Sequence, residues 1–167
     1  DGNVQVTRDG GKTWTNTVKG MTGLAPNAWI NKVEASHFDA GTAYVSASHW
    51  QDGDYAPYFY KTSDFGKTWA KITAGLPGRG WSHVIREDPK VRGLLYAGTE
   101  FGAWVSANRG ASWTKLGTGL PTVAVHEFAQ PHRGGEGQRL LERWAVDAAL
   151  QRPHDLRGEP RRQLADP

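Results

Sequence analysis

A chain of 167 residues, 38% of them hydrophobic and eight of them Trp, has the size and apolar content of one ordinary domain. It holds no cysteine, which excludes a disulfide framework and any Cys-based metal site. Its net charge of +3 comes from interspersed residues with no basic stripe, and no run approaches the roughly 20 apolar residues of a membrane span, so neither nucleic acid nor a spanning helix is expected.

In chain order, residues 3–7 and 12–18 predict a β-hairpin, with Val4 and Val6 alternating with polar neighbours. Its turn carries Thr7, Asp9, Gly11, Thr13 and Trp14. The same spacing returns as Thr62, Asp64, Gly66, Thr68 and Trp69, and again as Ser106, Asn108, Gly110, Ser112 and Trp113. The pattern is hydroxyl, any, Asp or Asn, any, Gly, any, hydroxyl, Trp. Asp or Asn early in a turn is expected to accept hydrogen bonds from backbone N–H groups one and two residues on. The Gly supplies a positive φ, and the Trp opens the return strand and anchors it in a core. Asn108 keeps the acceptor without the charge, so these boxes read as folding devices and not as catalysts.

After a loop at 20–27, strands are expected at 31–35, 42–47, 58–62 and 68–72, closed by Gly75-Leu76-Pro77. The plan repeats at 84–87, 94–99, 103–106 and 112–116, closed by Gly119-Leu120-Pro121, and 123–128 reads as the first strand of another unit. Trp14 and Trp69 are 55 residues apart, and Trp69 and Trp113 are 44 apart. A four-stranded repeat of roughly 40–50 residues is the mark of a β-propeller blade. The longer first period is placed in a loop at 48–57.

The fold class is therefore all-β: part of a propeller with four-stranded antiparallel blades, about two complete and two partial. The divisions are the outer hairpin of one blade at 1–19, blades at 20–75 and 76–120, the start of a further blade at 121–130, and a tail at 131–167. The tail holds seven Arg and no Lys. Leu140, Leu141, Trp144 and Ala148 share one helical face, so 137–150 reads as a short helix; an irregular tail and a shifted reading frame are the alternatives. The chain begins a few residues before a hairpin turn and no signal peptide opens it, so it is expected to be a piece of something longer.

These boxes resemble the Asp-box (bacterial neuraminidase, BNR) repeat of sialidases, xyloglucan-cleaving endoglucanases and sortilin-type receptors. The run from Tyr55 to Thr62, the run from Arg86 to Lys90 and the run from Gly93 to Gly102 resemble a bacterial group of large, exported, sortilin-like propeller proteins, often labelled glycosyl hydrolases on fold alone. The resemblance covers residues 1 to about 128. The Thr-His-Gly-Arg motif that ends that family is absent here. The resemblance implies an exported parent and no cofactor.

In such a propeller, the loops joining strands two and three share one face with the joints between blades, and the boxes lie on the other. The resemblance places ligands on the first face. That nominates His49, Trp50, Asp52, Asp54 and Tyr55, with Arg79 and Trp81, Glu100 and Phe101, and Trp29. Aromatic faces beside carboxylates suit sugars, whose C–H groups pack on rings while their hydroxyls need acceptors. The alternative is that Trp29 and Trp81 pack at blade edges and 48–57 is a solvated loop. The expected partners are a carbohydrate or peptide, and either the other blades of a parent or further copies of the chain.

An enzyme reading needs paired carboxyls. Asp52, Asp54 and Glu100 are its candidates, with Asp88, and the sialidase Arg-Ile-Pro element is absent. His126-Glu127 lacks a second His at metalloprotease spacing, and His37, His83 and His126 read as strand or turn residues, so no metal is expected. The function expected is binding or scaffolding, with a glycoside hydrolase fragment as the alternative.

Overall fold

The computed structural model describes residues 2–117, 119 and 122–129; the tail, with its expected helix at 137–150, lies outside the described residues. Among the described residues, ten strands form three antiparallel sheets. β1 (Gln5–Val6) and β2 (Thr15–Asn16) make a hairpin. β3 (Trp29–Ala35), β4 (Ala43–His49), β5 (Asp54–Thr62) and β6 (Ala70–Lys71) form a four-stranded meander. β7 (Ser82–Glu87), β8 (Leu95–Thr99), β9 (Gly102–Ser106) and β10 (Thr114–Lys115) repeat it.

The sheets pack face on face. Tyr44, Phe59 and Ile72 of the first meander meet Ile85, Leu95, Ala97 and Trp113 of the second in one buried cluster. The other face of the first meander, with Val45, Ala47, Tyr58 and Tyr60, packs on Val4 and Met21 beside the β1–β2 hairpin. A sheet covered on both faces loses the alternation of apolar and polar residues, and in β4 every residue from Tyr44 to Ser48 is buried. Each large side chain so buried contributes about 1.5–3 kcal/mol. The hydroxyls that share this interior are satisfied: Ser46 donates to the His83 carbonyl (3.1 Å) and Ser48 to Asn31 (3.2 Å).

The boxes close their turns by hydrogen bonds wider than expected. Thr13 N–H donates to Asp9 Oδ1, Thr68 N–H to Asp64 Oδ1 and Ser112 N–H to Asn108 Oδ1, all at 2.9 Å. The acceptor therefore serves the backbone four residues on, because its hydroxyl partner two residues earlier already caps the turn. Thr7, Thr62 and Ser106 each accept the box Gly N–H at 2.9 Å. Positive φ holds at Gly11 (91°), Gly66 (79°) and Gly110 (86°). Trp69 and Trp113 are buried, whereas Trp14 is 58% exposed, contrary to its expected core role. The reason is positional: Trp69 and Trp113 pack on the preceding unit, and no unit precedes Trp14 within this chain.

Two further expectations change. The stretch 48–57 is largely strand: β4 and β5 continue to His49 and Asp54, which pair, and a 3₁₀ turn at Trp50–Asp52 with Gly53 at φ 82° joins them. Residues 123–128 form no ladder among the described residues, but Val125 N–H donates to Thr99 O (3.0 Å), and Val125 and Phe128 pack on the second meander. Across the inner strands, Arg86 of β7 links Glu34 of β3 (2.8 Å) to Glu127 (2.9 Å), which Lys32 also reaches (3.4 Å).

Candidate functional site

The extended β4–β5 hairpin carries its tip toward the joint that leads from β6 into β7. Gly80 N–H donates to Tyr55 O (2.9 Å), which ties the joint to the hairpin. Trp81 then stacks on Trp50, with ring centroids 5.7 Å apart and planes 24° apart, and also meets Tyr55 at 5.7 Å. The Arg79 guanidinium lies 5.2 Å above the Tyr55 ring. Glu100 N–H donates to Trp81 O (3.1 Å), which brings in the β8–β9 turn. Phe101 follows directly: a Cβ at Gly80, whose φ is 117°, would stand 2.9 Å from its ring. Five expected positions, Trp50, Tyr55, Arg79, Glu100 and Phe101, are thus drawn around the Gly80–Trp81 joint.

Trp50 (43%), Tyr55 (38%) and Phe101 (42%) keep ring surface open to solvent, while Trp81 is half-buried against Trp50 and Tyr55. Polar groups border the rings. His49 Nε2 lies 3.0 Å from Asp52, and His83 Nε2 lies 3.0 Å from Glu100. His83 also sits edge-on to Trp81 (6.1 Å) and meets the His126 ring at 3.9 Å. His83 and His126 were not among the residues expected here. Alternation could not have found His83, since Trp81 precedes β7 and the register shifts between Ser82 and Val84.

The acidic candidates divide. Asp52 is exposed at the tip beside His49, and Glu100 is held by His83. Asp54 is committed inward: its carboxylate accepts from the Tyr58 hydroxyl and from Ala56 N–H (3.0 Å). The Tyr58 bond holds the Asp54 carboxyl below its ordinary range, while burial and that same carboxylate push Tyr58 up to about 12. Asp88 lies one residue past β7, at the strand end opposite Trp81, where it accepts from Lys90 and Val91 N–H (2.8 and 2.9 Å) and from Tyr96. Trp29 is 53% exposed and opposes Ser48 across the β3–β4 pair; it makes no ring stack with Trp50 or Trp81. Among the described residues, no group of three His, Asp or Glu is placed to hold a metal ion.

Residues 5–16 match the model of the BNR/Asp-box repeat. Those twelve residues are therefore one Asp-box repeat. The boxes at Thr62 and Ser106 share the backbone hydrogen bonds of the first, down to the 2.9 Å bond from the fourth residue on. Among solved structures, the chain is similar to YCF48 bound to D1 peptide, with 20% identity, a TM-score of 0.51, and coverage of 73% of this chain and 36% of that one. It is also similar to an ancestral GH74 enzyme, with 14% identity, a TM-score of 0.54, and coverage of 71% and 16%. These likenesses place the chain in the β-propeller fold; it spans about a third of the first neighbour and about a sixth of the second. A comparison with curated proteins found no match.

Proposed function

We propose that the aromatic shelf around Trp81 binds a ligand and that this chain is a non-catalytic recognition part of a larger Asp-box propeller. The observation that carries the reading is the convergence of Trp50 and Tyr55 on one half-buried Trp, with Phe101 beside it against Gly80, each of the three more than a third exposed. Large rings held rigid by a bulged hairpin offer contact area at small entropic cost. The bordering groups, Arg79, Asp52 and Glu100, can exchange hydrogen bonds with the hydroxyls of a glycan or the backbone of a peptide. That one neighbour of the same fold is bound to a peptide supports the peptide arm. The aromatic–carboxylate pairing supports the carbohydrate arm.

Titration calorimetry against panels of glycans and of extended peptides tests this. Binding to one panel is expected, with a loss of about 30-fold or more in Trp50→Ala and in Tyr55→Ala. Unchanged affinity in both variants would remove the shelf from the site. The hydrolase reading would draw on the carboxylates of Asp52, at the hairpin tip, and Glu100, in the β8–β9 turn. Release of reducing sugar that disappears in Asp52→Asn or Glu100→Gln would establish it; under our proposal none is released.

A further inference from the structure

A polar cleft lies at the strand ends opposite the aromatic shelf, where Glu87 closes β7 and Lys61 stands one residue before the end of β5. It measures about 140 Å³, and both its walls belong to the two four-stranded meanders. Three cations from three elements line it: Lys61 of β5, Arg92 of the β7–β8 turn and Arg109 of the third box. Two carboxylates, Asp39 and Glu87, line it as well.

The carboxylates are already engaged. Glu87 is buried and accepts from His37 N–H (2.9 Å), Gly93 N–H (3.3 Å) and the Tyr44 hydroxyl (3.3 Å). Asp39 accepts from Gly41 N–H (3.0 Å) and the Thr42 hydroxyl (3.1 Å). The cations are differently placed. Among the described residues, none of the three side chains makes a hydrogen bond or an ion pair. Arg92 and Lys61 act on Asp39 through space, behind the bonds from Gly41 and Thr42.

The preceding joint supplies a contrast. Phe65, fourth in the second box, has a φ of 61°, and its ring lies over Gly41. The Arg8 guanidinium, second in the first box, covers that ring at 4.4 Å. Arg109, fourth in the third box, has a φ of 62° and lies over Gly93 in the same way. Ser63, second in the second box, stands at this joint where Arg8 stands at the other. The earlier cation finds a ring, and the later one faces a hydroxyl across the open cleft.

Donors whose neighbouring acceptors are spent call for a ligand that only accepts. Guanidinium forks take oxyanions two oxygens at a time. Cations that converge from three elements can serve more oxygens than the two of a carboxylate, which favours a tetrahedral group. We propose that this cleft binds a sulfate or phosphate group, held by Arg92, Arg109 and Lys61.

Titration calorimetry of the 167-residue chain with sodium sulfate and with sodium phosphate, at constant ionic strength in chloride, tests the proposal. Saturable binding of at least one is expected, with acetate weaker by about tenfold or more. Arg109→Gly and Arg92→Gln should each weaken it by about tenfold or more, through the loss of a charge-assisted hydrogen bond. Arg109→Gly leaves the turn unstrained, since the first box carries Gly10 at the same position with a φ of 73°. Near-ultraviolet circular dichroism checks that both variants are folded. Lys12→Gln removes a charge from another box and should leave binding unchanged. Methyl sulfate and methyl phosphate separate the two sources of the group. Esters that bind as tightly as the free ions mean a group carried on a larger ligand, and binding of the ions alone means a free ion; either outcome supports the site. No saturation up to about 50 mM, acetate binding as tightly, Arg variants that bind like the wild type, or a Lys12→Gln loss equal to theirs would each overturn it.

Discussion

Protonating Asp9 or Asp64 removes the acceptor that ties each box turn to its return strand. The hydroxyls of Thr13 and Thr68, and then their backbone N–H groups, hold these two carboxyls down at about 2. The unfolded value is about 3.9. A carboxyl that titrates lower in the folded state stabilises fully above about pH 4, and that contribution is lost as the pH falls through about 2. Asn108 accepts the same backbone bond but donates its own amide to Ser112 Oγ (2.8 Å), reversing the side-chain bond without breaking it. Asp64→Asn should therefore leave the urea midpoint at pH 7 nearly unchanged and flatten its decline between pH 4 and 2; an unaltered decline would assign the acid sensitivity elsewhere. The two buried box tryptophans make a second contrast. Trp113 spends its indole N–H on Ile72 O, while Trp69 Nε1 is buried without a hydrogen bond among the described residues. Trp113→Phe should cost about 1 kcal/mol more than Trp69→Phe in thermal or urea unfolding, because only the former orphans a carbonyl. Equal costs would mean the indole bond is not contributing. The residue types at the boxes were legible in the sequence; the span of the acceptor bond was not, since it depends on a hydroxyl that occupies the nearer donors.

Most strands were readable from alternation and turn residues, and the exception has a physical cause. Asp52, Gly53, Asp54 and Pro57 read as loop chemistry, yet Pro57 is buried within β5. A register shift between Ala47 and His49 makes a bulge opposite it, and a bulge is where a strand tolerates Pro without a missing ladder bond. The bulge also carries the hairpin on to its tip at Trp50, so the feature that hid the strand is the one that builds the shelf. The expected strand at 123–128 shows the converse. Its apolar pattern was legible, but its backbone lies against Gly98 in the place a side chain would need: a Cβ there would stand 2.2 Å from Val125 O and 2.7 Å from a Val84 methyl. Gly98→Ala should cost about 1–3 kcal/mol by overpacking and expose Phe128 and Tyr96, read as a fall in the urea midpoint. A variant as stable as the wild type would show that the segment can move away freely.

At the scale of the molecule, the repeat period announced stacked units, but not which faces meet. Tyr44 and Phe59 look along one side of the first meander, Val45 and Tyr60 along the other, and the sequence alone does not say that both are covered. That 48–57, 79–81 and 100–101 share a face was an expectation from the resemblance, but the ring contacts on Trp81 were hidden, since they form only once the second meander packs on the first. Coupling between units that touch only their neighbours is one-dimensional. Local opening therefore starts at the outlying β1–β2 hairpin and spreads inward, so the exchange of amide protons for deuterium is graded along the chain, fastest at Gln5 and Val6 and slowest at Val45 and Tyr60, where both faces are sealed.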